Sequence, residues 1–494
     1  MSKRLVYSSL RRLAITFVVF AGVVPMVVAD SAGKTTAAGS SDSRLEKSYR
    51  FQKGGWTYVH LEGSPSDIGF QHGYLLAPEI ADALEAVKLM DTHDTERDWE
   101  FFRKTAREML WPQIDAEYQQ ELQGIADGVK AHGVDLDLYD IVALNAFEEV
   151  PDYYVPWLNK QGQTKEEKQA RAPRLKAPGH CSAFIATGAY TKDHQIVIAH
   201  NNWTGYLDGE RWVIIFDIVP EHGRRILMDG FPGVITSDDD FGINAAGIMI
   251  TETTITQFEG WDPKGKPEFV RSRKALQYAE SIDDYVRIME EGNNGGYAND
   301  WLIGDRKTGE IAYLELGLKN TPLWRTKDGY YVSSNFARDP KLIREETGGF
   351  DPNDASSSMN ARHARAEELV QRAKGTIDVE FAEAFLSDHY DSFEKKEQAN
   401  ERSLCGHVDN SPRGVPQWGR EPYSPEGAVQ GKATDSRMAA NMSFVARAGH
   451  PCGADFLAGD FLEKHPEFSW QKPLLRDMKA GPWTTFVAGQ KAGQ

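Results

Sequence analysis

Cys181 is the residue best placed for covalent chemistry. It sits at a change in composition, after a polar, basic stretch and at the first residue of Cys181-Ser-Ala-Phe-Ile-Ala-Thr-Gly-Ala-Tyr190, which reads as a strand. Structural cysteines usually lie within apolar runs, because a free thiol packs as a small hydrophobe; burial of that kind is the plain alternative for Cys181. A cut between His180 and Cys181 would give Cys181 a free α-amino group. A peptide nitrogen takes up no proton at neutral pH, whereas an α-amine of pKa about 8 does. One residue would then carry both the nucleophile and its base. The thiol could also make the cut, attacking the preceding carbonyl to form an ester that water resolves. A papain-like pairing with a distant histidine fits less well, since Cys181 opens a strand rather than a helix whose dipole would lower the thiol pKa.

Cys405 and Cys452, the other two cysteines, share a Pro/Gly/Trp-rich tail. A disulfide between them would staple a segment poor in regular structure, worth about 3–4 kcal/mol by chain entropy. Two unpaired thiols are the alternative, and His407 with His450-Pro-Cys452 leaves metal ligation as a more remote one. Three cysteines cannot make a disulfide framework or a four-thiolate zinc site. The expectation is therefore no metal and no cofactor.

These residues need elements to hold them. Trp56 to Leu61 reads as a strand and residues 63–67 as a loop, and helical periodicity marks 76–90, 97–110, 115–132 and 137–148. Residues 159–180 carry six basic residues, two prolines and one large apolar side chain, the mark of an exposed linker or of a surface loop within one domain. From Cys181 onward, strands are predicted at 181–190, 196–200, 211–219, 224–229, 246–255, 300–304, 310–316 and 329–334, with helices near 270–291, 358–373 and 378–388. From about 405 to 494 the chain reads as irregular. Helical and β-rich sections in sequence give an α+β fold class.

The first 29 residues have the pattern of a secretory signal: Lys3, Arg4, Arg11 and Arg12, an apolar run from Leu13 to Val28, then Ala29. The run is shorter than the roughly 20 residues that span a bilayer, so the sequence predicts export and cleavage rather than an anchor. The mature chain would be secreted or periplasmic, or lumenal in a lysosome-type compartment, with a small, polar, unstructured leader over residues 30–49. Losing four positive charges moves the balance from −17 to −21. That acidity argues against nucleic-acid partners. It also gives no attraction to anionic membranes.

Gly179-His-Cys-Ser-Ala-Phe-Ile-Ala-Thr-Gly188 and Ile198-Ala-His-Asn-Asn-Trp-Thr-Gly-Tyr206 resemble the phospholipase B-like family of N-terminal-nucleophile (Ntn) hydrolases, kin to the autoproteolytic cysteine acyltransferases of the penicillin acyltransferase type. The run Asp229 to Phe241, its continuation Ala246 to Thr254, and Gly63 to Gly73 are similar to the same family. The resemblance implies a four-layer αββα Ntn sandwich, self-cleavage before Cys181 into pieces 30–180 and 181–494 that stay associated, and acyl hydrolysis through a thioester on Cys181. It further implies site roles for His200, Asn202 and Trp203, an oxyanion donor in Asn335, and in Arg362 a cation that holds a site carboxylate or the substrate. Arg362 and Arg365 otherwise read as a solvated helix face. The wider group places an aspartate on the second strand to orient the amine; here Asn201 and Asn202 occupy that stretch and the next aspartate is Asp208. Asp238 to Asp240 read as a charged turn in preference to site residues. The implied substrate is a small-molecule or lipid acyl compound, with phospholipid ester ahead of N-acyl amide. A non-catalytic lipid-binding relative is the alternative.

Overall fold

The computed structural model describes residues 42–161 and 181–493. The expected signal, the leader up to residue 41, linker residues 162–180 and the cleavage residue His180 lie outside them.

Two large antiparallel-rich sheets organise the described residues. Nine strands form one, in the order Tyr49–Lys53, Trp56–Gly63, Ile214–Pro220, Ile226–Gly230, Gly242–Asn244, Ile248–Thr254, Asn299–Asp305, Glu310–Glu315 and Leu323–Thr326. Only Trp56–Gly63 and Ile214–Pro220 pair in parallel among these neighbours. Six strands form the other: Gly329–Ser333, Ser182–Gly188, His194–Gly205, Glu426–Asp435, Ser443–Ala448 and Thr484–Val487. The strands predicted between 211 and 334 coincide with observed ones to within a few residues, since each is a β-branched or aromatic run bounded by turn residues.

Side-chain alternation divides the faces. Along Ser182–Gly188, Ala183 and Ile185 enter a buried cluster with Ile215, Leu227, Met249, Leu302 and Tyr313 of the nine-stranded sheet. Phe184 and Ala186 turn the other way, onto Ala366 and Val370 of helix Ser358–Arg372 and Phe385 of helix Val379–Leu386. The nine-stranded sheet covers its second face with Phe216, Ile218, Ile248 and Ile250, packed with residues of helices Ala77–Thr95, Ala116–Ala131, Glu268–Tyr278 and Ile282–Glu290.

Helix Pro65–Leu75 begins where a loop was expected, because Ser64 and Asp67 form a reciprocal capping box with Pro65 in the first turn. It crosses Ala116–Ala131 closely: a Cβ at Gly69 would lie 1.9 Å from the Glu121 carbonyl oxygen, and one at Gly73 2.0 Å from that of Ile125. Within the Gly63–Gly73 motif, His72 accepts from the Gly233 N–H at 2.9 Å and Gln71 bonds the Glu62 backbone, so this motif builds structure. The helix predicted over 270–291 is two, split at Ala279 in extended backbone and restarted by the Ser281 cap.

The reading of 405–494 as irregular gives way to three strands of the six-stranded sheet. The strand Glu426–Asp435 lies inside the sheet, beside His194–Gly205. Its glycines and charged Lys432 conceal it in sequence, although all ten of its residues are buried.

Candidate active site

Cys181 is fully buried at the start of its strand. Its backbone N–H donates to Asn335 Oδ1 at 3.1 Å, and Arg362 donates to the same oxygen at 2.9 Å. Two donors converge on that atom, so it must be the amide oxygen rather than the nitrogen. Asn335 follows strand Gly329–Ser333 with φ +64°, a left-handed conformation that asparagine tolerates better than most residues. Its N–H from the backbone donates to Thr253 Oγ1 and its side-chain nitrogen to the Thr254 carbonyl at 2.9 Å. Toward Cys181, then, Asn335 presents an acceptor.

Arg362 projects from helix Ser358–Arg372, whose start is capped by Ser357. It donates to the Cys181 carbonyl at 2.6 Å, to Ser182 Oγ at 3.1 Å and to Ser358 Oγ at 3.0 Å. Its guanidinium lies 4.3 Å from the centre of the Trp203 ring and 5.7 Å from that of Trp418, cation–π contacts with two rings. Burial lowers its pKa to about 9. The solvated-face reading of Arg362 is corrected by its complete burial. Its contacts here are with the Cys181 backbone and neighbouring polar groups, whereas Arg365 pairs with Asp388 at 2.7 Å.

The Cys181 sulfur, a His200 ring nitrogen and a Glu252 carboxyl oxygen all lie within 4.8 Å of one another. The thiol reaches Glu252 Oε1 at 4.0 Å, and Tyr297 donates to that oxygen at 3.2 Å. Burial, then the nearby Asp240 and Asp239, push the Glu252 carboxyl well up; burial and Glu252 do the same to the Cys181 thiol. Burial, with Lys432 nearby, pushes His200 well down, so the imidazole is neutral. Neither ring nitrogen of His200 makes a hydrogen bond, and Nδ1 lies 3.9 Å from Asp239 Oδ2. This trio could ligate a metal only after thiol and carboxyl gave up protons that their surroundings retain.

Asn202 and Trp203 follow on the same strand. The side-chain nitrogen of Asn202 is buried without a hydrogen bond, and Trp203 donates through Nε1 to the Leu404 carbonyl at 3.1 Å. The Trp203 backbone N–H bonds toward the Cys181 sulfur and opposes its rise in pKa. Asn201 turns away, donating to the Leu386 and Leu404 carbonyls. Asp208 accepts from Thr204 at 2.6 Å and is raised to about 6 by burial.

Asp238, Asp239 and Asp240 are 2%, 1% and 0% exposed, which corrects the charged-turn reading. Lys432 Nζ reaches Asp229 Oδ2 at 2.9 Å and also bonds Asp239, forming a buried charge network behind His200. Asp240 accepts from Ser272 at 2.7 Å and is raised to about 7 chiefly by burial. Sequence reasoning did not single out Glu252 or Lys432. An acid inside the otherwise apolar and threonine-rich run Ile248 to Thr254 was the available signal for Glu252; Lys432 stood in the stretch read as irregular.

The expected Cys405–Cys452 bridge is not formed: both cysteines are free, and each sulfur lies 3.6 Å from His407 Nε2. A shared histidine neighbour accounts for their placement without a sulfur–sulfur bond.

Beside the end of strand His194–Gly205, a cavity of about 350 Å3 is lined by Thr204, Asp208, Asp91, Glu148 and the ring of Trp470 among others. Asp91 and Asp208 each keep one carboxyl oxygen there buried and without a hydrogen bond.

Residues 79–313 match the family model of phospholipase B. The chain is 26% identical over 276 residues to human phospholipase B-like 1, covering 48% of this chain and 47% of that protein. It is 27% identical over 181 residues to phospholipase B-like protein F of Dictyostelium discoideum, covering 35% of this chain and 31% of the relative. An uncharacterized protein of Archaeoglobus fulgidus is 25% identical over 266 residues, half of this chain and 41% of its own length. The matched stretches thus span less than half the length of each relative. The resemblance read from the motifs is borne out: the chain is similar to phospholipase B-like proteins over its matched stretches.

Proposed function

We propose that this protein is an exported, self-processing cysteine hydrolase that removes an acyl group through a thioester on Cys181, with lipid ester the favoured substrate. The observation that carries this reading is the seating of Cys181: backbone nitrogen on Asn335, carbonyl on Arg362, sulfur beside a neutral histidine. The packing of helices on the outer faces of two stacked sheets is what the four-layer Ntn arrangement requires.

Before any cut there is no α-amine, and His200, neutral with open ring nitrogens, is the group able to take the thiol proton. Cleavage before Cys181 then frees the amine. Asn335 Oδ1 orients it, and the Arg362 charge beside it favours its neutral, proton-accepting form. The amine takes the thiol proton, sulfur attacks the acyl carbonyl, and the oxyanion that forms needs preorganised donors. Asn202 supplies a buried side-chain N–H that nothing else uses. The alcohol departs with the proton, and water hydrolyses the thioester to fatty acid and free thiol. In this scheme Asn335 serves the amine, and the oxyanion role passes to Asn202.

The test follows the purified chain on a denaturing gel, with N-terminal sequencing of its fragments and mass spectrometry after exposure to a lipid extract. A large fragment beginning at Cys181, absent in Cys181→Ala, and an acyl adduct on Cys181 are expected. A single intact band, the same in Cys181→Ala, overturns self-processing. A cut chain that acquires no acyl group from esters but does so from N-acyl amides moves the substrate to the amide class.

A further inference from the structure

The loop residues behind the candidate active site gather a second set of soft side chains. His389 lies in the turn after helix Val379–Leu386, Cys405 and His407 in the segment that follows, and Cys452 just beyond strand Ser443–Ala448. One ligand atom from each of the four lies within 4.8 Å of every other. His407 Nε2 is 3.6 Å from both sulfurs. A tetrahedral zinc, with Zn–S about 2.3 Å and Zn–N about 2.0–2.1 Å, sets S···N edges of about 3.5 Å. His389 Nε2 is buried and makes no hydrogen bond. Two thiols and two imidazoles suit a divalent ion of borderline softness and offer nothing to magnesium or calcium.

We propose that His389, Cys405, His407 and Cys452 form a four-coordinate structural site for a divalent transition metal, zinc by ligand chemistry. Binding forms two metal–sulfur and two metal–nitrogen bonds and releases the two thiol protons to solvent; no redox step is involved. The site ties three loops together at the back of the catalytic machinery. Leu404, next to Cys405, accepts from Asn201 and from Trp203. Gly406, between two of the ligands, touches Trp203 so closely that a Cβ there would fall 1.9 Å from the indole. Trp203 in turn seats Arg362. Metal at this site therefore braces the platform on which the nucleophile's arginine rests.

The experiment measures metal in the full chain, purified under reducing conditions with zinc present, by native mass spectrometry and elemental analysis. One zinc per chain is expected, retained in Cys181→Ala and reduced at least tenfold in Cys405→Ser and Cys452→Ser. Cobalt exchanged into the wild-type chain, whose folding is not in question, should show the intense visible bands of a tetrahedral thiolate site. Zinc lost in Cys181→Ala but kept in Cys405→Ser places the metal on Cys181, His200 and Glu252 and overturns the proposal. A chain that takes up no zinc or cobalt, or a reduced chain whose peptides still carry a Cys405–Cys452 bridge, overturns it as well.

Discussion

Asn335 and Arg362 jointly set the electrostatics of Cys181. In the proposed cut form, a neutral amide oxygen would orient the Cys181 amine without adding a negative charge that favours its charged form, while the buried guanidinium beside it would disfavour that form. Asn335→Asp replaces the neutral acceptor with an anion of nearly the same shape. The anion stabilises the ammonium, raises the amine pKa, and moves the acid limb of the activity profile to higher pH, by about 1 unit or more. A pH–rate series on the cleaved enzyme reads this shift; an unmoved limb removes the amine as the base. Cys181 was legible from its own surroundings, whereas Asn335 and Arg362 were legible through the family resemblance. The partners of Asp229 and Asp239 were not. Three successive acids ordinarily mean solvent, and the lysine that pairs with Asp229 and Asp239 stands 193 positions from Asp239.

Among the elements, the crossing of helices Pro65–Leu75 and Ala116–Ala131 is the most sharply determined by residue type. Gly73→Ala sets a methyl 2.0 Å from a backbone oxygen that cannot rotate away. Overpacking of this kind costs about 1–3 kcal/mol. Gly459→Ala, in helix Ala458–Lys464 with nothing within 4 Å of the added carbon, should instead stabilise by about 0.5–1 kcal/mol. Denaturant melts of the two variants should shift in opposite directions; a shared sign refutes the packing assignment. Elements built from local pattern were readable, as with Ile226–Gly230 and Asn299–Asp305. Strand Glu426–Asp435 was not, because its place in the sheet is supplied by partners far away in sequence.

At the scale of the whole molecule, buried acids dominate the response to pH. Burial raises Asp208 to about 6 and Asp240 and Glu315 to about 7, and drives Glu148, Glu252 and Glu268 well above their usual range. An unfolded carboxyl ionises near pH 4, so between that value and the folded pKa the native state holds more protons. Its stability then falls as pH rises through this window. Asp217, held low by His60 and Arg225 against the effect of burial, works in the opposite sense, as do His72, His200, His363 and His450, which burial keeps neutral; the raised acids outnumber them. The chain should melt at a higher temperature near pH 5 than near pH 8, and a melting series across that range would refute this by rising instead.

All six strands of the smaller sheet come from beyond Cys181, but the larger sheet takes Tyr49–Lys53 and Trp56–Gly63 from before it. A cut at Cys181 would leave the short piece woven into the long one, its strand Trp56–Gly63 zipped in parallel against Ile214–Pro220. Maturation of that kind is one-way. A chain that folded alone, without having to find a partner, becomes two molecules whose reunion after melting depends on dilution. The mature enzyme would then carry a folding history that its separated parts cannot repeat at low concentration.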